Sequence, residues 1–153
     1  MRGVIVIAAA LMTSCDRGAA TGEPSGPIPG YSHAIATRVC GERDGPALGV
    51  YMTPTESADD PPPRPYLMIL VNEAPEVVVG RSWSWNGANE TAGAGECARV
   101  GPCAGFPLGR ILVGAFGADS AIDVRVDLGR ESGERVRGVV SARWVSRPLG
   151  PCP

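Results

Sequence analysis

From residue 31 onward the hydrophobic positions recur every second residue more often than every third and fourth, so the chain predicts strands joined by turns. Over residues 31–40, Tyr31, His33, Ile35, Thr37 and Val39 share one face, and Ser32, Ala34, Ala36, Arg38 and Cys40 share the other. A Gly- and Asp-bearing turn at 41–45 and a second apolar run over 46–53 make a hairpin of this pair. The proline-rich stretch 54–65 reads as a surface loop. The run YLMILVN at 66–72 is apolar on both faces and predicts a central strand buried from both sides. Residues 76–85 continue as strand, with Val77, Val79, Arg81, Trp83 and Trp85 on one face and a bend at Gly80.

Residues 86–107 are glycine-rich without periodicity and predict a long loop holding a short strand near 98–100. Strand character returns over 108–116. The clearest pattern comes last: Ile122, Val124, Val126 and Leu128 alternate with Asp123, Arg125 and Asp127. After a turn at 129–133, Val136, Gly138, Val140, Ala142 and Trp144 answer as an inward face, while Arg135, Arg137 and Arg143 point to water. Acids on one strand then face arginines on the other. Seven or eight such strands predict an all-β domain over residues 31–153, an antiparallel β sandwich or a partly open barrel.

Composition adds two points. With Gly 21 and Pro 15 the chain is a poor candidate for a helical bundle. Its net charge of -2 predicts no basic field to gather nucleic acid or anionic lipid. Every basic residue is an arginine.

The N-terminal segment reads differently. Arg2 supplies a short positive end, residues 4–12 an apolar run and Thr13-Ser14 small residues before Cys15, the layout of a secretory signal peptide. The run is shorter than the roughly 20 residues of a membrane-spanning helix. Residues 16–30, DRGAATGEPSGPIPG, have almost nothing to bury and read as a flexible tether with a reach of about 20 Å, in which packing on the domain is open for Ile28-Pro29 only.

Here the chain resembles the bacterial lipoproteins, since Leu11-Met12-Thr13-Ser14-Cys15 is similar to their lipobox. The resemblance implies removal of residues 1–14, acylation of Cys15 and export across the inner membrane to a lipid-anchored place in the cell envelope. Asp16 resembles an inner-membrane retention signal. Cysteine parity points the same way: of five cysteines, removing Cys15 to a lipid leaves an even set, Cys40, Cys97, Cys103 and Cys152. In an oxidising envelope these predict two disulfides, not a metal site, because they lack paired zinc-ligand spacing. Of three connectivities, Cys97 with Cys103 and Cys40 with Cys152 is expected, because Gly101 and Pro102 let the short loop close on itself.

Candidate chemistry is sparse. His33 is the sole histidine and lies on a strand face, so it reads as structural. Asp59-Asp60 reads as a solvated pair, and no Gly-x-Ser-x-Gly nucleophile setting occurs. Trp83 and Trp85 share a face and lead into Asn86 and Asn89, a combination able to stack on sugar rings or on an apolar protein patch. The competing reading places both tryptophans in the core. The expected function is a non-catalytic binding or structural module of the envelope without cofactor, its partner a polysaccharide or protein. The alternative is a small hydrolase that uses carboxylates the sequence does not single out.

Overall fold

Alternating sequence becomes strand where one face can be covered, and the described residues hold nine strands. They are β1 (His33–Cys40), β2 (Pro46–Thr53), β3 (Tyr66–Val71), β4 (Ser82–Asn86), β5 (Ala92–Cys97), β6 (Ala104–Gly105), β7 (Leu108–Phe116), β8 (Ala121–Gly129) and β9 (Arg135–Val145). One helical turn, α1 (Pro75–Val78), stands between β3 and β4. The computed structural model describes residues 23–42, 44–87, 91–117, 119–146 and 152. The expected signal segment 1–14, Cys15 and Asn89 lie outside them.

The strands form one sheet in the order β4-β7-β8-β9-β1-β2-β3-β5-β6, curled into a half-barrel. Chain length makes the curl necessary. Phe106 and Pro107 alone carry the chain from β6, at one edge, to β7, next to the other. A flat sheet would set those strands apart by about 30 Å, far beyond the reach of two residues. The β3–β5 and β4–β7 ladders each run one pair past the strand ends, Asn72 N–H donating to Thr91 C=O at 2.9 Å and Gly87 N–H to Pro107 C=O at 2.7 Å.

All neighbouring pairs are antiparallel except β1 with β9, where Ile35–Thr37 run parallel to Arg143–Val145. The all-β class and partial barrel agree with the sequence pattern, but a purely antiparallel sheet does not. The parallel pair arises because β9, last of the ordered strands, returns to lie beside the first.

The inner face gathers Leu48, Val50 and Met52 of β2, Leu67, Ile69 and Val71 of β3, and the alternating valines of β8. Each such side chain gains about 1.5 to 3 kcal/mol from burial. On β1 it is the small even-numbered face, Ala34 and Ala36, that turns inward. Ile35 and Thr37 are nevertheless buried, because the proline-rich loop folds over the outside of β1 and β2. In that loop Pro62 is buried and Asp60 accepts a 2.9 Å hydrogen bond from Thr37 Oγ1. The same cover makes β2, not β3, the strand buried on both faces: seven residues from Ala47 onward are buried, whereas β3 alternates.

Three further expectations change. Residues 75–78 form a helical turn with Pro75 at its start, where proline loses no hydrogen bond. The expected long loop contains β5, whose small residues pair with β3, and β6, which pairs with β5, while residues 98–100 lie in the connection between them. The expected tether ends early. Val139 N–H donates to Gly26 C=O at 2.8 Å, Pro27 bridges Val139, and Ile28 is 2% exposed. Gly138 permits this approach, since a Cβ there would meet Ile28 and Pro27 at 2.9 Å.

Both expected disulfides form. Cys40 pairs with Cys152 across a separation of 112 residues, and Cys97 with Cys103 across 6. The first ties the end of β1 to the chain terminus, and the second staples β5 to the approach to β6.

Candidate functional site

The tryptophan pair is not a free platform. Trp83 and Trp85 are 7% and 8% exposed, because their shared face is the inner face of β4. Trp85 Nε1–H donates to Phe106 C=O at 2.8 Å, and its ring lies over Gly109, its cross-strand partner. Trp83 Nε1–H reaches Glu73 Oε1 at 3.4 Å, while Arg81 sits 5.4 Å from the Trp83 ring centroid and pairs with Glu73. The binding role expected of Trp83 and Trp85 is therefore corrected to packing, and of that set only Asn86 is an exposed described residue.

The remaining candidates also resolve. His33 is exposed at the outer end of β1 beside a shallow recess of about 220 Å³ that includes Glu56 and Arg143. Asp60 is not a solvated member of a pair but an acceptor for Thr37. Among the described residues no three His, Cys, Asp or Glu side chains gather as a metal site.

The residues that do converge are Tyr31, Glu96 and Arg130. A turn places Tyr31, with its N–H donating to Ile28 C=O at 3.2 Å and Gly30 adopting a φ of 81°. Glu96 projects from β5, paired with Leu67. Arg130 opens the β8–β9 turn, which closes through Arg130 N–H to Glu134 C=O at 2.9 Å. The Tyr31 hydroxyl donates to Glu96 Oε1 at 2.6 Å, and Arg130 Nη1 donates to Oε2. Arg130 also faces Glu134 at 3.3 Å and stands 5.2 Å from the centroid of the Phe106 ring. These groups close one end of the half-barrel and line a cleft of about 420 Å³ with Pro29, Pro54 and Pro65.

Electrostatics fixes one protonation state for the cluster. The Arg130 hydrogen bond, joined by that of Tyr31, holds Glu96 below the usual carboxylate range against the opposing effect of burial. Burial first, and then the hydrogen bond to Glu96, pushes Tyr31 above its ordinary value. The bond to Glu96 raises Arg130. Near neutral pH the site thus presents a phenol, a carboxylate and a guanidinium, each driven away from the range where protons exchange. A general acid or base needs a value near the working pH. This arrangement can hold a polar ligand by fixed donors and acceptors.

Sequence reading missed this site because its members are separated by 65 and 34 residues and only the curl of the sheet joins them. No spacing motif marks them. No protein family, curated protein or solved structure matches the chain.

Proposed function

We propose that this protein is an exported, lipid-anchored module of the bacterial cell envelope that works by binding, without catalysis, through the cleft of Tyr31, Glu96 and Arg130. The observation that carries the reading is the pair of disulfides on an ordered β scaffold, since such bonds persist in oxidising compartments. The lipobox-like residues 11–15 supply the anchor at Cys15. The non-catalytic part is supported by the cluster itself, whose groups are all shifted away from neutrality. An envelope polysaccharide suits the cleft, with carboxylate and guanidinium groups for hydroxyls and proline rings for apolar sugar faces.

Two experiments separate the parts of this reading. A non-reducing mass and peptide map of protein taken from its native membrane should find an acylated N-terminus at Cys15 and the two mapped disulfides; an intact Met1 with free thiols refutes export. Co-sedimentation with purified envelope polysaccharide should be lost when the cleft rim is reversed by Glu134→Arg with Arg135→Glu. Equal sedimentation of the variant, or none by the parent, removes the cleft as a polysaccharide site.

A further inference from the structure

The outer face of β7, β8 and β9 gathers half of the described arginines. Strand register puts Arg110, Arg125, Arg135, Arg137 and Arg143 on this face. Asp123 and Asp127 oppose them there, joined by Glu23 against Arg125 and by Asp119. The rest of the described chain carries five arginines against ten acidic side chains, so the acidity of the protein lies away from this side. The start of the described chain lies on this same side. Val139 holds Gly26, and Glu23 is fixed to Arg125 at 2.7 Å. Seven residues, 16–22, separate Glu23 from Cys15. Fully extended they reach about 28 Å, and as a random coil about 16 Å, so an anchor at Cys15 keeps this face near the lipid. An open groove of about 540 Å³ on the face is rimmed by Phe116, which is 44% exposed and packs edge-on against Trp144.

We propose that this arginine face is the membrane-apposed surface of the anchored protein and that it rests on anionic lipid headgroups. The inference rests on the anchor at Cys15. Chain reach holds the domain close, and charge selects which side turns to the bilayer. Ionic contact of this kind is screened by salt, over about 10 Å at 0.1 M and about 3 Å at 1 M.

The test is arginine modification by phenylglyoxal, read residue by residue from peptide masses. The acylated full-length mature protein is placed on vesicles of phosphatidylcholine alone or with phosphatidylglycerol added. On the anionic vesicles, modification of Arg110 and Arg143 should slow at least about fivefold, and high salt should restore it. Arg99, exposed in the connection between β5 and β6 and outside that face, should be unaffected. Slowing of Arg99 in place of Arg110 and Arg143, or no difference between the two lipids, overturns the proposal while leaving the anchor intact. A native chain whose mass shows no acyl group at Cys15 removes the anchor, and this inference falls with it.

Discussion

Substituting Gly109 by alanine tests the packing of the half-barrel at its tightest point. A Cβ built on Gly109 would lie 2.0 Å from Trp85 Cζ2 and 2.3 Å from Cε2, so one of the two strands or the indole must move. The indole is not free to move alone, because its Nε1–H is committed to Phe106 C=O at 2.8 Å in a buried setting. Overpacking of this kind costs about 1 to 3 kcal/mol. Loss of the buried hydrogen bond adds about 1 to 3 kcal/mol. Gly109→Ala should therefore destabilise by about 4 kcal/mol, which lowers the urea midpoint by about 2 M for a slope of about 2 kcal/mol/M. Gly93→Ala is the control, since a Cβ there meets nothing within 4 Å; its cost should stay below about 0.5 kcal/mol. In a Trp85→Leu background the cost of Gly109→Ala should drop to about 1 kcal/mol, because the ring that blocks the methyl group is gone. Equal costs for the two glycine substitutions, or an unchanged Gly109→Ala cost in that background, would refute the reasoning.

Three further predictions follow from the same structure. Glu96 has its folded pKa lowered from 4.5, so its stabilisation is complete above that value and lost as pH falls through the lower folded one; Tyr31 is raised from 10.0, so its stabilisation is complete below that value and lost as pH rises through the higher folded one. Thermal midpoints should be level between about pH 6 and 9 and fall on either side, and Tyr31→Phe should shrink the alkaline fall without abolishing it, since burial also raises Tyr51. By loop entropy, replacing Cys40 and Cys152 by serine should cost about 4.8 kcal/mol and replacing Cys97 and Cys103 about 2.4 kcal/mol, and equal losses in urea would contradict that account. Ile28→Ala should cost about 2 to 5 kcal/mol in the same assay, where a substitution in a free tether would cost almost nothing.

The sequence by itself determined the parts of this fold that depend on local alternation. The β8–β9 hairpin was legible because β8 alternates apolar with charged side chains at every step, and the 46–53 strand because it is a short apolar run that follows a turn. Leu108–Phe116 was legible from its strand character and flanking turns. Both disulfides were legible too, one from a short loop with Gly101 and Pro102 and the other by elimination. Beta5 was hidden because AGAGEC carries no apolar pattern; its place comes from β3, against which small residues pair closely. Residues 75–78 were hidden because a single turn is too short to establish a period.

Tertiary structure alone decided which faces are inside and what converges. A period of two says that Trp83 and Trp85 share a face, but curling of the sheet makes that face the interior. The same curl turns the alanines of β1 inward while a proline-rich loop covers Ile35 and Thr37. It also brings Tyr31, Glu96 and Arg130 together from three distant segments. Alternation is written residue by residue and can be read locally, whereas closure depends on strand order, and strand order is set by the packing of the whole chain.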